Sequence, residues 1–342
     1  MPSPAAPDES ERPTIHDDLL SGRRVFIAPR RARRPSDLNR DAEAACPFCA
    51  GNESLTPATV RRWPEQQDSQ WTARIVPNRY PVVEPLETPA PATAALPAAS
   101  SSTIMPGHGL HEVVIEAAAH VESVLDVRPP DWLGVWQLCH RRLTDLADRP
   151  DLAWSTLFKN GGLAAGASLA HLHSQLIAID RVPPTIHQKC RQLASQPDLF
   201  QRLLANAVTD DRMICREQGL VALVPPAPRQ PYEVWLVSET PLPFFHAAPA
   251  HQVEAVACLT QRFVAALERL TPGASFNWWL HQFPSQPPDD TAAVARHWHW
   301  HLEILPRLNP LAGFELGTGC HITTVPPGMA AQRLRETGCW QG

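Results

Sequence analysis

Several features that define special classes of protein are missing from this sequence. No stretch approaches the run of about 18 apolar residues that indicates a membrane-spanning helix. The N-terminal stretch MPSPAAPDESERPTIHDD is acidic and rich in proline, whereas a secretory signal begins basic and continues apolar. We therefore expect a cytoplasmic protein with no membrane partner.

An excess of positive charge is also missing. The chain has a formal net charge of −5 at pH 7, with its 15 histidines counted as neutral. A protein that binds nucleic acid broadly carries a basic patch or stripe. We therefore expect no nucleic-acid partner, whereas a small anionic ligand would need only local cations.

Cysteine is too sparse for a disulfide scaffold, with eight residues in a chain of 342. Only Cys46 and Cys49 are close together, in CPFC. In a reducing compartment this spacing favours metal binding or redox chemistry over a disulfide. The cysteines that lie in amphipathic stretches are expected to be buried thiols: Cys139, Cys190, Cys215 and Cys258.

Proline, in contrast, is abundant, with 37 residues. Its fixed φ and missing N–H favour extended connections. The Pro/Ala/Ser-rich residues 84–103 are therefore predicted to form a lid or a disordered insertion. Residues 1–15 are predicted to be a disordered tail.

Hydrophobic spacing predicts two long helices, over residues 132–147 and 251–270. Each helix precedes a β segment with alternating histidines, HLHSQLIAI at 171–179 and HWHWHLEIL at 297–305. Shorter strands are predicted at residues 23–29, 73–76 and 111–116.

This repeated order of strands, helix and histidine strand resembles an internal duplication. It predicts an α+β fold of two halves, residues 16–190 and 191–342.

The first histidine strand carries the chemistry that we consider most informative. Side chains alternate along a strand, so His171, His173 and Gln175 are expected on one face. The preceding KNGGLAAGAS offers small residues and backbone N–H groups to a phosphate. A neutral imidazole is a competent nucleophile toward phosphorus, so His173 is predicted to become nucleotidylated. The alternative is a histidine pair that is buried in the core or binds a metal.

The order of motifs along the chain is informative as a whole. CPFCAGN, HEVVIEAAAH, FKNGGLAAGASLAHLHSQ and HWHWHLEILPRL, together with RRVFIAPRRARRP, PNRYP, PYEVW and GFELGTG, cover about residues 20–335. In this order they resemble the galactose-1-phosphate uridylyltransferase family of the histidine triad superfamily, including a divergent branch close to ADP-glucose phosphorylase. The resemblance implies two histidine-triad-like halves, each an antiparallel sheet with packed helices.

The resemblance also implies a ping-pong reaction. His173 would attack the α-phosphorus of a nucleoside diphosphate sugar and expel the sugar 1-phosphate, and a second sugar 1-phosphate would accept the nucleotide. UDP-glucose and galactose 1-phosphate are the default pair. Gln175 stands where related hydrolases carry a third histidine, and an amide cannot act as an acid, which favours an intermediate that waits for an acceptor. Leu172 replaces the usual proline and resembles the more divergent branches.

Further residues are implied by family positions that contact the phosphates or the sugar nucleotide. A guanidinium fork suits a phosphate, although the arginine run Arg30, Arg31, Arg33 and Arg34 alone would indicate a solvated surface. The implied substrate-binding residues are Arg31, Arg34, Asn78, Asn160, Ser168 and Gln175.

The resemblance completes the Cys46/Cys49 pair with His120 and His171 as a tetrahedral zinc site. All four positions are filled by the protein, so the expected role of the zinc is structural. The alternatives are an unmetallated cysteine pair, or His108 or His111 in place of His120.

By the same resemblance, His281, His299 and His301 match residues that bind a second metal in some family members. Its carboxylate ligand falls near Lys189 here, and no carboxylate is evident, so we favour packed or hydrogen-bonding histidines. The HWHWHL segment alone would also suit a hydrolase triad, but it lacks a preceding Gly-rich loop.

Two alternative functions stay open. One is a phosphorylase that splits ADP-glucose or a dinucleoside polyphosphate with the same nucleophile, which HSQ and PYEVW favour. The other is a zinc-stabilised binding protein without turnover. A homodimer is expected from the resemblance alone.

Overall fold

We describe the fold from a computed structural model. The structure describes residues 11–18, 20–34, 45–66, 70–85 and 102–340. The predictions for residues 1–10 and 86–101 lie outside the described residues.

Ten strands form one antiparallel sheet, and three more form a small separate sheet. The strands are β1 (Thr14–Asp18), β2 (Arg23–Ile27), β3 (Arg61–Trp63), β4 (Ala73–Pro77), β5 (Ser102–Pro106), β6 (Gly109–Ile115), β7 (Trp154–Gly161), β8 (His173–Ile179), β9 (Met213–Glu217), β10 (Leu220–Leu223), β11 (Val234–Ser238), β12 (Phe276–His281) and β13 (His301–Pro306). The small sheet has the order β2-β1-β5, and the large one β3-β4-β6-β8-β7-β12-β13-β11-β10-β9.

The strand order of the large sheet repeats. From one edge to the centre the order is β3-β4-β6-β8-β7, and from the other edge to the centre it is β9-β10-β11-β13-β12. In both halves the last two strands are therefore reversed relative to the sequence. The halves join where β7 pairs with β12, with Phe158 opposite Trp279 and Gly161 opposite Phe276. The predicted α+β class with duplicated antiparallel sheets is confirmed, and both repeats share one continuous sheet.

In the described residues six α-helices accompany the sheet: α1 (Pro129–Ala147), α2 (Pro184–Ser195), α3 (Leu199–Thr209), α4 (Ala250–Leu270), α5 (Gly313–Thr318) and α6 (Pro327–Glu336). The predicted helices correspond to α1 and α4. Helix α1 begins earlier than predicted because its two leading prolines suit a first turn, where an N–H has no partner. No helix in the described part of the chain is both long and apolar enough to cross a membrane.

The main core lies between the sheet and helices α1 and α4. Trp132 and Trp136 of α1 contact Trp278 of β12, with ring centroids 6.1 and 6.3 Å from it. The Trp132 indole N–H donates to Thr260 Oγ1 of α4 at 3.0 Å, which satisfies a buried polar group. The helix of one repeat thus packs on a strand of the other.

Three predictions about boundaries and burial are wrong. Strands β8 and β13 begin at His173 and His301, so His171 and His299 precede their strands. The predicted tail overlaps β1, whose Ile15 is fully buried. Cys139 and Cys190 are buried as expected, whereas Cys215 and Cys258 are half-buried.

Candidate active site and metal centre

His173 is the first residue of β8, between β6 and β7. Its ring is 6% exposed, and Nδ1 lies 2.8 Å from the backbone oxygen of His171. Nδ1–H therefore donates, and Nε2 keeps its lone pair. Burial lowers the pKa of His173 to about 4, so the imidazole is neutral at pH 7. This is the state that a nitrogen nucleophile requires.

Two cavities meet at His173. One has a volume of about 260 Å³ and the other about 320 Å³, and both are lined by His173, Ser168 and Leu169. The first is also lined by Arg34, Asn78 and Gln175. The second is also lined by Asn160, Gly161 and Gly162. The structure thus brings the predicted substrate-binding residues to both sides of the histidine, with Arg31 the one that lines neither cavity.

Gln175 is oriented by His111 of β6. The backbone N–H of Val82 donates to His111 Nδ1 at 3.1 Å, so the proton of the neutral ring is on Nε2. His111 Nε2–H then donates to Gln175 Oε1 at 2.9 Å. The amide NH₂ of Gln175 is left to donate into the first cavity, which suits a phosphoryl oxygen.

This contact explains His111, which the sequence analysis considered only as a zinc ligand. Burial lowers the pKa of His111 to about 4, with contributions from Arg31 and Arg34. The register of β6 on β8 brings the two side chains together, and no local sequence pattern reveals that register.

The arginine run divides into two kinds of residue. Two of the four form ion pairs with carboxylates, Arg30 with Glu84 and Arg33 with Glu11. Arg31 donates to the backbone oxygen of Tyr80 at 2.6 Å, and Arg34 lines the first cavity. Within the described residues neither Arg31 nor Arg34 pairs with a carboxylate, and burial lowers the pKa of both. They are therefore not ordinary solvated surface charges.

Hydrogen bonds from β12 of the other repeat hold the Gly-rich loop that follows β7. Asn277 Nδ2 of β12 donates to Asn160 Oδ1 at 2.8 Å and to the backbone oxygen of Ala165 at 2.9 Å. Gly162 has φ +87°, and a Cβ there would lie 2.4 Å from Ser275 Oγ. The close approach requires glycine at this position.

A buried ion pair lies next to the backbone of His173, and the sequence analysis missed it. Lys159 pairs with Glu116, and both side chains are 1% exposed. Lys159 Nζ also donates to the backbone oxygen of His173 at 2.9 Å, and Ser174 Oγ donates to Glu116 at 2.5 Å. The pair thus contacts His173 and Ser174, the first two residues of β8, and holds the start of that strand.

The four predicted zinc ligands converge. Cys46 Sγ lies 3.5 Å from His171 Nδ1, and Cys49 Sγ lies 3.6 Å from Nδ1 of both His120 and His171. Zn–S and Zn–N bonds of about 2.3 and 2.1 Å at a tetrahedral angle give an S···N edge of roughly 3.6 Å. The donor set therefore fits a zinc ion.

The surroundings also orient these ligands. His171 Nε2–H donates to the backbone oxygen of Ala117 at 2.9 Å, which leaves Nδ1 for a metal. The ring of Phe48, inside the cysteine turn, contacts both His171 and His173 with centroids 5.8 and 5.4 Å apart. Neither alternative ligand belongs to the cluster, because His108 contacts Asp151 and His111 contacts Gln175.

A second cluster consists of His281, His301 and Glu303, whose donor atoms lie within 4.8 Å of one another. Glu303 is the carboxylate that the sequence analysis did not find, two residues after His301 on β13. His299 is not part of the cluster: its Nδ1 lies 2.6 Å from the backbone oxygen of Ser238, and its ring stacks on Phe200.

A duplicated antiparallel sheet with a buried neutral histidine between two cavities is the arrangement of a nucleotidyltransferase-like enzyme of the histidine triad type. The model of the galactose-1-phosphate uridyl transferase N-terminal domain matches residues 17–183. A second model, described as a domain of unknown function (DUF4921), matches residues 138–337. The DUF4921 model covers more than half of the chain, so the chain belongs to the DUF4921 family, and most of its N-terminal half matches the galactose-1-phosphate uridyl transferase model.

Individual relatives cover nearly the whole chain. An ADP-glucose phosphorylase from Arabidopsis thaliana is 28% identical over 340 residues, which are 96% of this chain and 94% of the relative. A galactose-1-phosphate uridylyltransferase from Thermotoga maritima is 23% identical over 327 residues, 92% of this chain and 95% of the relative. The crystal structure of the Arabidopsis thaliana ADP-glucose phosphorylase with bound ADP-glucose superimposes with a TM-score of 0.75 at 27% identity, covering 95% of this chain and 98% of that one.

Proposed function

We propose that this enzyme transfers a nucleotidyl group from a nucleoside diphosphate hexose to a phosphate acceptor through a covalent intermediate on His173. The observation that carries the proposal is the state of this side chain. Its Nδ1–H donates to the backbone oxygen of His171 at 2.8 Å, so Nε2 keeps its lone pair. The same side chain lines two cavities.

The chemistry takes place in two balanced steps. The Nε2 lone pair of His173 forms a bond to the α-phosphorus, and the bond from that phosphorus to the bridging oxygen breaks. The hexose 1-phosphate leaves with the bridging oxygen and its electron pair. An acceptor phosphate oxygen then attacks the α-phosphorus, the P–N bond breaks, and neutral His173 is restored.

The surrounding side chains would stabilise the negative charge on the phosphoryl oxygens. The Gln175 amide and the Ser168 hydroxyl donate toward the non-bridging oxygens, and Arg34 supplies positive charge from the first cavity. Arg31, Asn78 and Asn160 would bind the rest of the sugar nucleotide. None of these groups is an efficient acid at neutral pH, which suits transfer to an acceptor better than hydrolysis.

Inorganic phosphate is the acceptor that we favour, with ADP-glucose as the donor. The supporting observation is the relative named ADP-glucose phosphorylase, which has a higher identity than the uridylyltransferase relative, 28% against 23%, at similar coverage.

The uridylyltransferase reaction, UDP-glucose with galactose 1-phosphate, is the second candidate. The match of residues 17–183 to the uridyl transferase N-terminal domain favours it. Both candidates share the first half-reaction, so they differ only in the base that is read and in the acceptor.

The zinc ion that Cys46, Cys49, His120 and His171 would hold has a structural role in this proposal. Four protein ligands leave no open position for substrate. A bound ion would anchor His171, whose backbone oxygen accepts from His173 Nδ1.

The test is an adduct measurement. The protein is incubated with ADP-glucose or UDP-glucose without acceptor, and intact mass is recorded before and after mild acid. We expect an acid-labile AMP adduct, lost on addition of inorganic phosphate with release of ADP. A UMP adduct discharged only by galactose 1-phosphate would instead select the second candidate.

Two variants locate the adduct. His173→Ala is expected to form none, whereas His301→Ala, at the equivalent place in the other repeat, is expected to keep it. No adduct from either donor in the folded, zinc-loaded protein would contradict the covalent mechanism and favour the binding protein without turnover.

A further inference from the structure

The C-terminal repeat presents a histidine in the same way as the N-terminal repeat. His301 is the first residue of β13, and its Nδ1 lies 2.8 Å from the backbone oxygen of His299, as His173 Nδ1 does from that of His171. His301 Nε2 and the Glu303 carboxylate, with His281 beside them, form the second donor cluster. Two imidazoles and a carboxylate are a donor set that divalent transition metals bind.

The ammonium group of Lys189 already lies among these donors. Nζ is 2.9 Å from His301 Nε2 and 2.6 Å from Glu303 Oε1. Arg229 donates to the other carboxylate oxygen of Glu303 at 2.7 Å. The lone pairs of His301 Nε2 and of Glu303 that a metal would use are therefore engaged by protons of the chain itself.

The position of Lys189 is fixed by its helix. The flanking Ile186 and Cys190 of α2 are 1% and 0% exposed. The ammonium also lies 5.4 Å from the centre of the Trp235 ring, a cation–π contact. Glu303 is 3% exposed, and a buried carboxylate requires a cation close by.

We propose that Lys189 is the resident cation of the C-terminal histidine cluster, in the place where a divalent metal would bind, and that it closes the cluster to both a metal ion and a phosphorus centre. A divalent ion at the same donors would lie within about 3 Å of the ammonium, where two positive charges repel strongly. His301 Nε2 accepts a hydrogen bond from Lys189, so this nitrogen has no lone pair to offer a nucleotide.

The experiment measures zinc content. The purified full-length protein and its variants are incubated with excess Zn²⁺, dialysed and analysed for bound zinc. We expect one equivalent in the wild type, lost in Cys46→Ser. Lys189→Glu removes the ammonium and adds a fourth donor, and it is expected to bind a second equivalent. Lys189→Glu combined with His281→Ala should return to one.

Two results would overturn the proposal. One is a wild-type protein with two equivalents that falls to one in His281→Ala, which would show that a metal displaces the ammonium. The other is a folded Lys189→Glu variant that still binds one. The wild-type comparison decides the question even when Lys189→Glu does not fold, and neither readout depends on the proposed catalytic function.

Discussion

The two repeats carry the same histidine strand but use it differently, and a lysine makes the difference in each. In the N-terminal repeat Lys159 comes from the neighbouring strand β7 and donates to the backbone oxygen of His173, behind the ring. In the C-terminal repeat Lys189 comes from helix α2 and donates to the ring nitrogen of His301. Two equivalent imidazoles are therefore left open in one repeat and blocked in the other.

The residue two positions along each strand follows the same division. Gln175 presents a neutral amide whose orientation is set by His111. Glu303 presents a carboxylate that is held between Lys189 and Arg229. An amide donates to a phosphoryl oxygen, whereas a carboxylate repels it. A duplicated fold therefore keeps its backbone geometry, and under the proposed function single side chains decide which repeat can bind a phosphoryl group.

The largest expected effect concerns the two lysines. Lys159→Met leaves the Glu116 carboxylate buried without its cation and is expected to lower the free energy of unfolding by about 3–5 kcal/mol. Lys189→Met should cost less, because that side chain is 27% exposed and Arg229 still pairs with Glu303. Urea unfolding of both variants measures the difference. Equal losses would show that the two lysines are not held differently.

The next effect is a dependence of stability on pH. His111 has a folded pKa of about 4, below its unfolded value of about 6.5. Between these values the unfolded chain binds more protons, so the free energy of unfolding falls as pH falls, by about 3 kcal/mol in total from this group. His111→Asn should flatten the loss between pH 7 and pH 4.5 in urea titrations. An unchanged slope would mean that His111 is not buried as a neutral ring.

The third prediction exchanges the residues that distinguish the strands. Gln175→Glu puts a carboxylate beside His173 and is expected to lower the rate of adduct formation by about 10²-fold, through loss of a donor and repulsion of the phosphate. Glu303→Gln is the matched control and should leave that rate within about twofold. Rapid-quench mass spectrometry gives both rates, and equal losses would contradict the assignment of the reactive strand.

The smallest expected effect separates the arginines. Arg34→Ala should lower kcat/KM by about tenfold, because one charged contact to the substrate is lost. Arg33→Ala removes an exposed ion pair with Glu11 and should change kcat/KM by less than about twofold. Steady-state kinetics with the donor found in the adduct test distinguish them. A larger loss of kcat/KM in Arg33→Ala than in Arg34→Ala would contradict the assignment of Arg34 to the substrate site.

Local patterns predicted the long elements well and the site contacts poorly. Helices α1 and α4 follow from apolar spacing alone, since their buried faces repeat with the helical period. Alternation along the second histidine strand places Glu303 on the same face as His301, whereas the family resemblance points to a carboxylate near Lys189. The extension of the strands back to His171 and His297 was wrong, because alternation does not show where hydrogen bonding to a neighbouring strand begins.

By itself the sequence determined the duplicated α+β order, the histidine strand and the Cys46/Cys49 pair, because hydrophobic period and motif spacing are properties of the chain. The family resemblance added His120 and His171 as candidate zinc ligands. Tertiary structure alone decided which side chains face His173 and His301. Lys159 contacts β8 because β7 pairs with β8. Lys189 contacts β13 from helix α2, and His111 contacts Gln175 through the register of β6 on β8. Such contacts join residues far apart in sequence, and only the folded sheet brings their charges within bonding distance.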